Sequence, residues 1–135
     1  MKLATARRVL ADFLADTSPA DLDLDAVLAD ILKARREFSD EELTPAEHAA
    51  RLDAYAVIRA NAYTYEWTDT FGGEVNYSWT RRGTVIAATM RDAVRQAKAA
   101  LDMTGHPCRR ADYGDQVALY PAGTCTVLFI TETTP

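Results

Sequence analysis

Apolar residues recur at three- and four-residue spacing up to about Asn61 and at two-residue spacing beyond it, so a helical half precedes a β-rich half. Leu3, Ala6, Val9, Leu10, Phe13 and Leu14 make the stripe of a first amphipathic helix. Thr17-Ser18-Pro19 interrupts it. Ser18 suits the capping position of the next helix, Pro19 its first position, and Asp21 the positive end of its dipole. Leu24, Val27, Leu28, Ile31 and Leu32 form the second stripe. Ser39-Asp-Glu-Glu42 and Thr44-Pro-Ala-Glu47 both have capping-box spacing. The second, with its proline, starts a third helix carrying Leu52, Tyr55, Ala56 and Ile58.

Past Asn61, Tyr63, Tyr65 and Trp67 alternate with Thr64, Glu66 and Thr68, and Val75, Tyr77 and Trp79 alternate with Asn76, Ser78 and Thr80. With Asp69 to Gly73 as the loop, this predicts a hairpin setting Trp67 opposite Val75, Tyr65 opposite Tyr77 and Tyr63 opposite Trp79. The same register pairs Glu66 with Asn76 and Thr64 with Ser78 on the polar face, and a one-residue slip would turn every ring to that face. Thr89 caps a predicted helix over 90–103, with Asp92 in its first turn, Gly105 at its end, and Ala93, Val94, Ala97, Ala100 and Leu101 inward. Segments 117–120 and 124–130 predict a second hairpin, with Leu119 facing Cys125 and Val117 facing Val127. The expectation is an α+β protein: a three-helix lobe over 1–61, then a ββαββ antiparallel sheet over 62–135 with one covering helix. The two parts form one domain or two small, mutually supporting ones.

Composition adds limits. The 135 residues are 48% hydrophobic and 26% charged, enough for a core and ordinary in charge content. Charges interrupt every helical stretch, so none is long and apolar enough to span a bilayer. The start, Met1-Lys-Leu-Ala-Thr-Ala-Arg-Arg, has no signal-peptide pattern. Two cysteines make no disulfide framework, and the default location is the cytoplasm. The net charge of −5 is uneven: residues 1–61 carry twelve acidic against eight basic side chains, and 62–135 carry eight against seven. The first half therefore repels nucleic acid at long range.

No catalytic, cofactor or metal motif stands out. Asp21-Leu-Asp-Leu-Asp25 opens like a calcium loop but has Ala26 where glycine is needed and Leu32 where a carboxylate is needed. His106 and Cys108, with Cys125 and the remote His48, fall short of zinc spacing, and Cys125 is expected in the core. A Cys108–His106 nucleophilic pair lacks an evident orienting group. Asp69, Phe71 and Glu74 surround the hairpin tip, where acids are ordinarily solvated turn residues and Gly72-Gly73 supplies positive φ. Arg91, Arg95 and Lys98 are spaced as one basic strip on the fourth helix, with Arg81, Arg82, Arg109 and Arg110 in adjoining segments. If these converge, they make a site for phosphate or nucleic acid. The aromatic face offers stacking, but a sheet face that a helix must cover is better read as core.

The stretch Trp67-Thr-Asp-Thr-Phe-Gly-Gly-Glu-Val-Asn-Tyr-Ser-Trp79 resembles one found in small phage and prophage proteins. The resemblance covers about a tenth of the chain and implies a compact accessory protein that occupies a host machine, as anti-CRISPR inhibitors do. The leading expectation is thus a non-enzymatic protein-binding module, an inhibitor of a host nucleic-acid-handling complex such as CRISPR–Cas, acting by steric block or acidic mimicry. Its contact residues would be Asp12, Asp16, Asp21, Asp23 and Asp25 at the first helix junction and Asp40, Glu41, Glu42 and Glu47 at the second. The alternatives are nucleic-acid binding through the basic strip, and a small enzyme with a cleft near His106 and Cys108. No cofactor and no membrane partner are expected.

Overall fold

A computed structural model describes residues 1–18, 22–37, 43–70 and 81–133, and the chain divides into two compact units, Met1–Ala60 and Asn61–Pro135. The first unit holds helices α1 (Leu3–Leu14), α2 (Leu24–Glu37) and α3 (Pro45–Ala60). α3 packs against both α1 and α2. Ala6 and Leu10 of α1, Val27 and Ile31 of α2, and Ala54 and Ile58 of α3 are fully buried or nearly so. Arg51 of α3 lays its guanidinium 4.2 Å from the centre of the Phe13 ring and pairs with Glu47 at 3.8 Å. Leu32 and Ala56, expected in the apolar stripes, are exposed, because each lies a fraction of a turn off the buried line.

The helix starts follow capping chemistry. Thr44 Oγ1 accepts from the Glu47 amide at 3.1 Å, with Pro45 at the first position as the sequence suggests. α2 is capped by Asp23, whose Oδ1 accepts from the amides of Asp25 (3.1 Å) and Ala26 (3.2 Å), and not by Ser18. A carboxylate there also meets the positive end of the helix dipole, which a hydroxyl does not. Pro19 and the pattern Ser39 to Glu42 lie outside the described residues.

The second unit is a five-stranded antiparallel sheet ordered β2-β1-β5-β4-β3, from β1 (Ala62–Asp69), β2 (Arg81–Ile86), β3 (Cys108–Asp112), β4 (Gln116–Pro121) and β5 (Thr126–Glu132). The fold class is α+β. The connection α4 (Met90–Ala100) leads from β2 at one margin to β3 at the other and contacts β2, β1 and β5. The fifth strand, β3, was not expected from sequence. Its Cys-Arg-Arg-Ala-Asp carries a single apolar residue between charges, the composition of an outer strand, and gives no alternating signal.

Two registers differ from expectation. Tyr63, Tyr65 and Trp67 stand opposite Val85, Gly83 and Arg81, with Thr64 opposite Thr84 and Glu66 opposite Arg82. The other margin of β1 is taken by β5, so both ladders of β1 are filled. The proposed partners Val75, Asn76, Tyr77, Ser78 and Trp79 lie outside the described residues. Likewise Leu119 pairs with Leu128 and Val117 with Ile130, not with Cys125 and Val127. The β4–β5 turn spans more residues than a tight hairpin, which leaves Cys125 in the turn and exposed rather than in the core.

One face of the sheet packs on α4. Tyr63, Val117, Leu119, Leu128 and Ile130 cluster there with Ala93, Ala97 and Leu101, and Tyr65, Trp67 and Val94 pack at the margin. Small alanines let α4 approach a surface of bulky side chains. Ala100 is exposed. Thr89 caps α4 as expected, its Oγ1 accepting from Asp92 N at 3.2 Å. The C-terminal end differs. The helix stops at Ala100, and Asp102, not Gly105, takes the left-handed conformation that ends it (φ 55). Met103 N donates to Lys98 O at 2.7 Å and Asp102 N to Ala99 O at 3.2 Å, the bond pair of a Schellman motif, with Met103 buried.

Candidate binding surfaces

Strand alternation sends Thr64, Glu66, Arg82, Thr84, Phe129 and Thr131 to the sheet face away from α4. Registers align them in two transverse rows. Thr84, Thr64, Thr131 and Gln116 run straight across β2, β1, β5 and β4. Beside them Arg82, Glu66, Phe129, Ala118 and Ala111 cross all five strands. Gln116 Nε2 donates to Thr131 Oγ1 at 3.1 Å, and Arg82 Nη2 pairs with Glu66 Oε1 at 3.3 Å. The first row, with Arg82, Glu66 and Phe129 of the second, lines an open groove of about 540 Å³. Thr64 and Glu66 were legible as a polar face from alternation alone. Thr84, Thr131 and Gln116 were not, because they come from strands whose pairing only the folded chain sets.

The basic strip does not converge. Arg81 and Arg82 sit on β2 and Arg109 and Arg110 on β3, at opposite margins of the sheet. Four inter-strand spacings separate them, about 19 Å. Each is turned to a neighbour: Arg81 toward the Trp67 ring (5.8 Å), Arg82 to Glu66, Arg109 over the Tyr120 ring (4.4 Å) and Arg110 to Asp112 (3.0 Å). Arg91, Arg95 and Lys98 do share one side of α4, where they line a shallow cavity of about 230 Å³ with Thr104 and Gly105. There Arg95 pairs with Asp92 and Lys98 Nζ donates to His106 O at 2.9 Å. Arg91 alone of the seven has no partner among the described residues. Such exposed pairs contribute little stability, but they fix where the cations point.

The acidic candidates are differently disposed. Asp12, Asp16 and Asp25 are exposed with no ion pair among the described residues. Asp23 is exposed but spends its carboxylate on the α2 cap, and Glu47 faces Arg51. Asp21, Asp40, Glu41 and Glu42 lie outside the described residues, as do Phe71 and Glu74 of the hairpin tip. Asp69 is not a solvated tip residue: it closes β1 opposite Thr126 and is 8% exposed.

The His106–Cys108 neighbourhood holds no thiol–imidazole contact. Cys108 Sγ donates to the His106 carbonyl at 3.4 Å, while the ring Nε2 lies 2.8 Å from Ala122 O. Asp69 is three inter-strand spacings from Cys108, about 14 Å, beyond a side chain's reach. Among the described residues no three His, Cys, Asp or Glu side chains stand close enough to hold a metal ion, and no helix is long and apolar enough to cross a membrane. Among the described residues Tyr63 is perturbed: its phenol is pushed above its ordinary pKa, first by burial and then by the charge of Glu132 opposite it. Comparison with protein-family models, curated proteins and solved structures returns no significant match.

Proposed function

We propose that the protein is a non-enzymatic binding module that engages a basic protein surface through carboxylates of its first unit. The observation that carries this is the contrast in disposition: Asp12, Asp16 and Asp25 stand exposed and unpaired among the described residues, whereas the arginines of the sheet are split between opposite margins. The split leaves Arg91, Arg95 and Lys98 of α4 as a smaller basic cluster, and the excess negative charge of residues 1–61 works against nucleic-acid binding. A partner surface that handles phosphate would accept such carboxylates. An inhibitor of a host nucleic-acid-handling complex, of the anti-CRISPR type carried by mobile elements, fits this chemistry. The similarity that suggests that context falls mostly on residues 71–80, outside the described residues.

The test is affinity capture from host lysate with the wild-type chain and with a triple variant, Asp12→Lys, Asp16→Lys and Asp25→Lys. One stoichiometric partner is expected, lost in the variant and weakened by added salt. Recovery of no such partner, or equal recovery with the variant, would sink the proposal. Salt-sensitive retention on DNA or RNA that disappears with Arg91→Glu and Lys98→Glu would establish the nucleic-acid alternative in its place.

A further inference from the structure

We propose that the groove on the sheet face away from α4 is a binding site for a neutral sugar ring, free or at the end of a glycan chain. It lies wholly within the second unit and does not depend on the acidic helices. Three features of the lining select this chemistry.

The first is charge balance. Among the described residues the groove's two charged groups are Glu66 and Arg82, paired at 3.3 Å, so a phosphate would meet the carboxylate and an ammonium would meet the guanidinium. A neutral ligand meets neither penalty. The second is the row Thr84, Thr64, Thr131 and Gln116. Each hydroxyl and the amide both donate and accept, which matches the hydroxyls of a sugar, themselves donors and acceptors. The third is Phe129, the one aromatic ring that this face contributes to the lining among the described residues, set one row away from the hydroxyls with the small Ala118 beside it in the ladder. A sugar presents an apolar C–H face and a polar rim. Laid on Phe129, its rim meets the threonine row. The groove volume of about 540 Å³ is within the range of about 300–1,000 Å³ usual for small-ligand sites.

Amide chemical shifts of the ¹⁵N-labelled full chain would be followed on titration with glucose, galactose, mannose and their methyl glycosides, with inorganic phosphate as the charged control. At least one sugar is expected to move the amides of Thr64, Thr84, Gln116, Phe129 and Thr131 in saturable fashion. A methyl glycoside binding as well as the free sugar assigns the site to chain ends, and a weaker one assigns it to free sugars. Phe129→Ala should weaken binding about tenfold. Thr64→Val, which keeps shape and removes one hydroxyl, should weaken it about threefold and decides the matter if Phe129→Ala unfolds. Shifts confined to other regions, no shift with any sugar, phosphate acting as strongly as the sugars, or affinity unchanged in Thr64→Val would each overturn the proposal.

Discussion

Asp102→Gly is expected to stabilise the protein although it deletes a side chain at the end of a helix. Asp102 holds φ 55, the left-handed region, and closes α4 through the Met103–Lys98 and Asp102–Ala99 backbone bonds. An ordinary L residue there costs about 1–2 kcal/mol, aspartate somewhat less. Its carboxylate also lies at the negative end of the α4 dipole, at a cost of about 0.3–1 kcal/mol. Glycine removes both penalties and adds about 0.5–1 kcal/mol of backbone entropy to the unfolded chain. The balance is a gain of about 1 kcal/mol, or a rise in Tm of about 3–5 °C for a chain of this size. Urea unfolding monitored by tryptophan fluorescence reads the second unit, because both tryptophans, Trp67 and Trp79, belong to it. Asp102→Asn removes the charge and tolerates the backbone, so it should recover the dipole part alone. Asp102→Ala keeps a Cβ and should fall below Asp102→Gly. An alanine variant as stable as the glycine variant, or a glycine variant less stable than wild type, would refute a left-handed Asp102 as the origin of the effect.

Further outcomes follow from the same contacts. Because the folded-state pKa of Tyr63 is raised, its contribution is complete below the unfolded value of about 10 and is lost as pH rises through the folded value. Tyr63→Phe should therefore lose less stability than wild type between neutral and strongly alkaline pH, and equal losses in parallel melts would contradict the burial of that phenol. A Cβ on Gly83 would overlap the Tyr65 ring lying across it. Gly83→Val should accordingly cost about 1–3 kcal/mol despite the better strand propensity of valine, and Gly83→Val combined with Tyr65→Ala should cost less than the separate effects together. Thr44→Ala and Asp23→Ala, each removing a helix cap, should cost about 0.5–2 kcal/mol by thermal melting.

Local patterns were legible wherever they depend on the chain's own neighbours. The three- and four-residue stripes marked α1 through Ala6 and Leu10 and α2 through Val27 and Ile31, and Thr44 and Thr89 marked helix starts, because a cap needs only an oxygen three residues ahead of an amide. Alternation placed Tyr63 and Tyr65 on one face of β1 and Thr64 and Glu66 on the other. Alternation is blind to what lies across the ladder, however. Val75 to Trp79 matched β1 in period as well as β2 does, and period alone cannot rank two such partners.

Pairing, and therefore the groove, belongs to the tertiary structure. Placing β5 between β1 and β4 brings Thr131 and Phe129 beside Thr64 and Glu66 across more than sixty residues of chain, and sends the two arginine pairs to opposite margins. Backbone hydrogen bonding is the same for every residue, so register is chosen by how whole faces pack against α4 rather than by any short motif. By itself the sequence determined which residues could be helix, strand, core or surface, through periods and caps that act over one turn or one strand. The meeting of Thr84, Thr64, Thr131 and Gln116 in one row was decided only when burial of Leu128 and Ile130 under α4 set the order of the strands.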